Sequence, residues 1–113
     1  MLLVEDDRLT YDALRAIFRH RGWDVTVATT LADALAAVDS HPDGIILDLM
    51  LPDGDGEAIL KKVRRLGLQT PIVVTTGSND RARLTYVQSL APEALLHKPI
   101  NLADLINKLE QPQ

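Results

Sequence analysis

The chain contains no cysteine, no excess of positive charge and no apolar run long enough to cross a membrane. The missing cysteine excludes disulfides, zinc–thiolate sites and thiol chemistry. A net charge of −4 argues against nucleic-acid binding by this chain alone. Only four apolar residues precede the acidic run Glu5-Asp6-Asp7, so this stretch does not read as a signal peptide. These features predict a cytoplasmic protein that contacts neither a membrane nor nucleic acid.

The sequence also lacks internal repeats, low-complexity tracts and linkers. Its 113 residues, 46% of them hydrophobic, suffice for one buried core. We therefore predict a single domain over residues 1–113. The chain begins within a predicted strand and ends just after a predicted helix, so we expect either a free-standing domain or one taken from a longer protein.

What the sequence does contain is an alternation of short apolar runs with segments of helical periodicity. The predicted strands are residues 1–4, 24–28, 45–47, 72–75 and 94–97. The predicted helices are residues 8–20, a segment after Thr30, a segment ending near Leu66, residues 79–90 and a segment after Asn101. Right-handed connections between the strands would give an α/β protein with three layers, a parallel sheet between two layers of helices.

The apolar stripes of three predicted helices include Leu9, Leu66 and Leu102, which are therefore expected to face the core. The basic pairs Lys61-Lys62 and Arg64-Arg65 are predicted to lie on the water-facing side of the third helix.

Several polar residues are explained by turns and helix ends. Asp7, Thr30 and Asn101 directly precede predicted helices, and their side chains suit the N-cap position. Asp53 and Asp55 lie in a turn-rich loop and are expected to be turn or cap residues. We accordingly interpret these five residues as structural.

Three other carboxylates have no such explanation. Glu5 and Asp6 follow the first strand, and Asp48 follows the third. Neighbouring parallel strands end at the same edge of a sheet, where such folds bind ligands, so these side chains should converge. Like charges about 4 Å apart repel by roughly 4 kcal/mol at an effective dielectric near 20. A bound cation would offset this repulsion, and hard oxygen ligands that are open to solvent favour Mg²⁺.

Four motifs at strand ends occur in a recognisable order. They are Leu3-Val4-Glu5-Asp6-Asp7, the segment from Asp48 to Gly56, the segment from Pro71 to Gly77, and Lys98-Pro99. Together they resemble the receiver domain of bacterial response regulators, and the resemblance covers the whole chain. It implies a flavodoxin-like, doubly wound fold of five βα units with strand order 2-1-3-4-5.

The resemblance also implies roles for individual residues. The acceptor aspartate of that family ends the third strand, which is the position of Asp48. The family's acidic pair corresponds to Glu5 and Asp6, with Asp6 a direct ligand of Mg²⁺ and Glu5 acting mainly through water. The residue two past the acceptor, Met50, would offer its backbone carbonyl to the metal.

The remaining family positions lie on the fourth and fifth strands. The hydroxyl that moves toward the phosphoryl group corresponds to Thr76, although the adjacent Thr75 competes for this role. The family lysine corresponds to Lys98, and its bond to Pro99 is usually cis. An aromatic residue commonly lies three positions before that lysine, where this chain has Leu95. The resemblance therefore predicts a receiver without the usual aromatic switch.

The function implied is two-component signal transduction. Asp48 would take a phosphoryl group, with Mg²⁺, from a phosphohistidine on a sensor histidine kinase or a histidine phosphotransferase. A downstream effector protein or domain would read the changed surface, and a homodimer on phosphorylation is left open. Such a domain is not an enzyme, since it catalyses only its own phosphorylation and dephosphorylation.

Other functions fit the sequence less well. A degenerate receiver would serve as a phosphorylation-independent interaction module, but every matched site residue is present. A flavin mononucleotide binder would need a phosphate loop after the first strand, where Glu5-Asp6-Asp7 would repel the ligand. An aspartate phosphohydrolase usually carries a second acid at the position that Met50 occupies here.

Overall fold

Short apolar segments form a parallel sheet at the centre of the protein, which the computed structural model describes for residues 1–110. In chain order the strands are β1 (Leu2–Val4), β2 (Thr26–Ala28), β3 (Ile45–Asp48), β4 (Met50–Leu51), β5 (Gly54–Asp55), β6 (Ile72–Thr76) and β7 (Ala94–His97). Five of them build the central sheet in the order β2-β1-β3-β6-β7, and every pair is parallel. Counted among these five, the order is the predicted 2-1-3-4-5, so the doubly wound flavodoxin-like fold is confirmed.

In the described part of the chain, five helices cover the two faces of the sheet. They are α1 (Arg8–His20), α2 (Leu31–Val38), α3 (Glu57–Arg65), α4 (Arg81–Ser89) and α5 (Leu102–Glu110). One core cluster unites the sheet with α2, α3 and α4, and a second unites it with α1 and α5. The predicted three layers are therefore present. Within residues 1–110, no helix is both long and apolar enough to span a bilayer.

The strands supply both cores because their side chains alternate between the two faces. In β3, Ile45 and Leu47 join the cluster beneath α2, α3 and α4, whereas Ile46 joins the cluster beneath α1 and α5. All three are at most 1% exposed. A central parallel strand is covered on both sides, which explains why this run has no polar residue before Asp48.

The predicted N-caps are confirmed. The side chains of Asp7, Thr30 and Asn101 each accept a hydrogen bond from the backbone N–H three residues further along, at 3.0, 3.1 and 3.1 Å. Each bond satisfies an N–H that the first turn of a helix leaves without a partner. The starts of α1, α2 and α5 are therefore encoded locally.

Strands β4 and β5 form a small antiparallel hairpin that the sequence did not predict. Asp53 at its tip accepts hydrogen bonds from the backbone N–H groups of Leu31 at 2.6 Å and Ala32 at 3.2 Å. Gly54 has a φ of 155°, which residues with a side chain rarely adopt, and a Cβ there would lie 2.7 Å from Leu31 Cδ2, so glycine suits this position. The hairpin that follows Asp48 is thereby docked on the first turn of α2, and Asp53 is a cap for a helix that is distant in sequence.

A second set of contacts holds the end of α5 near the start of β3. Trp23 Nε1 donates to Glu110 at 3.0 Å, and the Arg21 guanidinium donates to both oxygens of that carboxylate at 2.9 and 2.6 Å. The Trp23 ring meets Phe18 edge-on, with centroids 6.4 Å apart. A Cβ at Gly44, just before β3, would lie 3.2 Å from the indole. The end of α5 is thus held against the connection between α1 and β2.

The expectation that Leu9, Leu66 and Leu102 face the core is wrong. They are 82%, 45% and 38% exposed. Leu9 and Leu102 lie in the first turns of α1 and α5, and Leu66 directly follows the last residue of α3. Helical periodicity marks a face of a helix, but it does not show whether the residues at its ends are covered.

The expectation that both basic pairs of α3 face water is also wrong in part. Lys62 donates to the backbone carbonyl of Leu35 and pairs with Asp39 at 3.1 Å. Arg64 donates to three backbone carbonyls, including that of Ala91 at 3.0 Å. Long basic side chains can reach backbone carbonyls and carboxylates outside their own helix, so a polar position in a helical pattern does not have to point into solvent.

Candidate functional site

The carboxyl edge of the sheet brings together three charged side chains from three strand ends. Glu5 follows β1, Asp48 ends β3 and Lys98 follows β7. The Lys98 ammonium lies 3.1 Å from Asp48 Oδ2 and 3.2 Å from Glu5 Oε1. Both carboxylates are only 3% exposed. A shared ammonium therefore bridges two buried acids.

Asp6 completes the predicted acidic cluster from the solvent side. One carboxylate oxygen from each of Glu5, Asp6 and Asp48 lies within 4.8 Å of the others, and Asp6 is exposed. The single positive charge of Lys98 balances only one of the three negative charges. Oxygen ligands that converge in this way, with one side open to water, fit the needs of Mg²⁺. The residues present therefore suit a divalent cation.

The pKa of Glu5 also indicates an excess of negative charge in the cluster. Its pKa is raised from 4.5 to about 7, first because the carboxyl is buried and then because the Asp48 carboxylate is close. The backbone N–H of Asp7 and the charge of Lys98 lower this pKa only in part. Burial alone would lower the pKa of Lys98, but the hydrogen bond and charge of Asp48, together with Glu5, raise it overall. The cluster holds more negative charge than its neighbours neutralise.

Asp48 itself is held on both carboxylate oxygens. The backbone N–H of Met50 donates to Oδ1 at 3.0 Å, and Lys98 donates to Oδ2. The turn after Asp48 is tight, because a Cβ at Gly56 would lie 2.9 Å from the Asp48 carbonyl oxygen. Met50 begins the hairpin, and its side chain turns outward, with the residue 56% exposed. Met50, whose backbone carbonyl the resemblance assigns to the metal, is therefore hydrogen-bonded to Asp48 through its N–H.

Thr75 and Thr76 end β6 on opposite faces of the sheet. Thr75 is the register partner of Asp48 and lines a cavity of about 220 Å³ beside Glu5 and Lys98. Thr76 is fully buried, and its Oγ1 accepts a hydrogen bond from the backbone N–H of Ser78 at 2.9 Å. Only the hydroxyl of Thr76 is thus tied to the loop that leads into α4.

The remaining predicted residues, Leu95, Lys98 and Pro99, lie on or directly after β7. The peptide bond between Lys98 and Pro99 is cis, the geometry that the resemblance implies. The Lys98 backbone N–H donates to the Thr76 carbonyl at 2.8 Å, which anchors the lysine at the end of the sheet. Leu95 is half-buried, pairs in register with Val74 and packs on the core beneath α2, α3 and α4. No aromatic ring occupies this position.

One residue near the site escaped the sequence analysis. Arg83 of α4 has a side chain that is only 16% exposed, and it donates to Glu57 and to the backbone carbonyl of Leu49, the residue after Asp48. Glu57 and Arg83 are 26 residues apart. No local pattern relates them, so only the fold reveals the contact.

Comparison with known proteins agrees with this geometry. The response regulator receiver domain family matches residues 1–110. The transcriptional regulatory protein TrcR of Mycobacterium tuberculosis is 35% identical over 111 residues, covering 96% of this chain and 43% of TrcR. The response regulator SaeR of Staphylococcus epidermidis is 28% identical over 106 residues, covering 94% of this chain and 46% of SaeR. The chain thus spans less than half the length of these relatives.

Solved structures share the fold. The receiver domain of the Francisella response regulator 1452 superimposes with a TM-score of 0.84 at 26% identity, covering 96% of this chain and 90% of that one. The CheY-like receiver domain protein of Methanospirillum hungatei JF-1 gives a TM-score of 0.86 at 26% identity, covering 97% and 89%. Fold, strand-end motifs and sequence agree, and the chain belongs to the response regulator receiver domain family.

Proposed function

We propose that Asp48 is the phosphoacceptor of this receiver domain and that its phosphorylation requires Mg²⁺. The observation that carries the proposal is the convergence at one sheet edge. The buried Asp48 carboxylate lies 3.1 Å from the Lys98 ammonium and shares a cluster with Glu5 and Asp6. An acceptor in such a site needs positioning and charge compensation more than covalent assistance.

The reaction is a phosphoryl transfer between two side chains. A carboxylate oxygen of Asp48 forms a bond to phosphorus while the bond between phosphorus and the imidazole nitrogen of the donor histidine breaks. Lys98 donates to an oxygen of the incoming group, and the Thr76 hydroxyl donates to another. The domain catalyses only its own phosphorylation and dephosphorylation, and in the latter water hydrolyses the acyl phosphate.

The metal site would be formed by Glu5, Asp6 and Asp48 with the backbone carbonyl of Met50. When bound there, Mg²⁺ neutralises charge on the phosphoryl oxygens. Asp6, the exposed member of the cluster, would be the direct carboxylate ligand, whereas the buried Glu5 would act mainly through water. Lys98 already bridges Glu5 and Asp48, so it keeps these two carboxylates together before the metal enters.

Membership of the family supports a proposal for the partners. The phosphoryl donor is a sensor histidine kinase or a histidine phosphotransferase in the cytoplasm, and a downstream effector protein or domain reads the response. The residues 1–113 act as one receiver domain, which forms a homodimer on phosphorylation if its changed surface is self-complementary. The −4 net charge supports recognition of proteins over direct binding of nucleic acid.

The alternative of a receiver that has lost phosphorylation is not favoured. Loss of function would remove the need to bury two carboxylates side by side, which is costly without a role. Here Glu5 and Asp48 remain buried, with Lys98 between them.

Acetyl phosphate with Mg²⁺ tests the proposal, because it phosphorylates a competent acceptor without the cognate kinase. Intact-mass measurement should show one added phosphoryl group on the wild-type protein and none on Asp48→Asn. Asp6→Asn should slow labelling by weakening metal binding, and chelation of Mg²⁺ should abolish it. A full mass shift in Asp48→Asn would show that another residue is the acceptor.

A further inference from the structure

Arg83 connects helix α4 to the loop that follows Asp48. Its guanidinium donates to both oxygens of the Glu57 carboxylate, at 3.0 and 2.9 Å, and to the Leu49 carbonyl at 2.7 Å. The side chains of Arg83 and Glu57 are 16% and 11% exposed, so the pair is largely withdrawn from water. A weaker contact reaches the exposed Asp55 at 3.3 Å. The guanidinium is thus fixed in place by the first turn of α3.

The contact of Arg83 with Leu49 involves the peptide group between Leu49 and Met50. The Leu49 carbonyl and the Met50 N–H belong to one trans peptide, and that N–H donates to Asp48 Oδ1 at 3.0 Å. A trans peptide is planar, with its C=O and N–H pointing in opposite directions, so a donor that fixes one end also fixes the other. The Gly56 N–H donates to the same carbonyl at 3.2 Å, which leaves Arg83 as the closer and charged donor.

We propose that Arg83 is a positioning residue for the acceptor carboxylate, acting through the Leu49–Met50 peptide group. The inference rests on the proposed role of Asp48. A charged donor on the carbonyl polarises the peptide and strengthens the hydrogen bond that its N–H gives to Asp48. Lys98 holds the other carboxylate oxygen. Asp48 is therefore aligned from two sides, by a lysine after β7 and by an arginine on α4.

The same residue links the alignment of Asp48 to the position of α4. The side chain of Asp80 caps this helix by accepting from the backbone N–H of Arg83 at 3.2 Å. The loop before it is tied to Thr76, whose hydroxyl accepts from Ser78 N–H. The first turn of α4 is therefore joined to the site twice. A partner that moves this turn alters the alignment of Asp48, and occupancy of Asp48 alters the turn by the same free energy.

A double variant separates positioning from stability. Glu57→Met with Arg83→Met replaces the buried ion pair by apolar side chains of similar length, an exchange that often leaves stability unchanged. It still removes the donor to Leu49. The matched control is Glu57→Gln, which weakens the ion pair but leaves Arg83 able to donate to Leu49. Unfolding by urea, followed by circular dichroism, verifies that both variants are folded.

Two measurements report on positioning. The first is the proton resonance of the Met50 amide in the metal-free protein, which should move upfield in the double variant because its hydrogen bond to Asp48 weakens. The second is the rate of labelling by acetyl phosphate with Mg²⁺. It should fall about tenfold in the double variant, since a misplaced reacting group can cost on the order of 100-fold. In Glu57→Gln, the resonance should stay in place and the rate should remain within about twofold of wild type.

The inference is overturned if the double variant keeps the wild-type Met50 resonance and labelling rate. It is equally overturned if Glu57→Gln slows labelling as much as the double variant, because Arg83 would then only join two helices. Failure of the proposed function looks different: wild-type protein takes no label, or Asp48→Asn is still labelled. The Met50 resonance continues to test Arg83 in that case.

Discussion

Removing the charge of Glu5 should stabilise the metal-free protein at alkaline pH. The pKa of this carboxyl is about 7 in the folded state against an ordinary value of 4.5. At about 1.4 kcal/mol for each tenfold change in the protonation equilibrium, an ionised Glu5 costs on the order of 3 kcal/mol of stability. Glu5→Gln removes this cost, which already includes the attraction to Lys98. We therefore expect a net gain of about 2–3 kcal/mol at pH 8.

The sign of the pH dependence follows from the raised pKa. Below pH 4.5, Glu5 is protonated in both the folded and the unfolded state, so it imposes no cost. Between pH 4.5 and about 7, the unfolded state releases its proton first and the wild-type protein loses stability relative to Glu5→Gln. Above pH 7 the difference is complete. The advantage of the variant should therefore appear as the pH rises and vanish in acid.

Urea unfolding in the presence of EDTA, followed by circular dichroism at pH 4.5 and pH 8, measures this difference. Glu93→Gln is the matched control, because it removes the same charge from an exposed site. Adding Mg²⁺ should then stabilise wild type more than Glu5→Gln, since a ligand stabilises the state that binds it and the variant has lost one carboxylate. An equal difference between wild type and Glu5→Gln at both pH values would refute the electrostatic account of the site.

Three further predictions concern residues away from the cluster. Asp53→Ala should lower the free energy of unfolding, as loss of a helix cap does, measured by urea titration. The Arg21 guanidinium, and then the Trp23 hydrogen bond, lower the pKa of Glu110 to about 2, so Glu110→Gln should be less stable than wild type at pH 7. That deficit should close as the pH falls from 4.5 through about 2, and a deficit that persists there would contradict it. Beryllofluoride with Mg²⁺ should shift fewer amide resonances across residues 82–96 in wild type than in Leu95→Tyr, because leucine sweeps less volume between its rotamers; equal shifts would argue against a limited switch.

The acidic cluster could be predicted from sequence because each of its members follows directly on an apolar run. Strand ends in a parallel sheet share one edge, so Glu5 and Asp48 are brought together by topology alone. Asp7 was equally predictable, since an N-cap acts within three residues of itself. Local rules were sufficient wherever the partner was near in sequence or the sheet supplied the contact.

The features that sequence did not predict depend on partners far along the chain. Asp53 was recognised as a turn or cap residue, but the helix it caps begins 22 residues earlier. Arg83 reads as an ordinary polar position of α4 until the fold places it against Glu57. Leu9 continues the apolar stripe of α1, yet it is 82% exposed. In each case the contact of the residue depends on the distance between two elements of the fold, which helical or strand periodicity does not reveal.

The contacts of Trp23 have a consequence for optical experiments on this protein. It is the only tryptophan, and it packs on Gly44, directly before β3, whereas Asp48 ends that strand. A four-residue strand spans roughly 13 Å at about 3.3 Å per residue, so the indole and the acidic edge occupy opposite ends of the sheet. Its emission should therefore change when α5 detaches and stay constant while Mg²⁺ binds. The chain carries its own fluorophore for unfolding, and that fluorophore should not respond to the occupancy of the site.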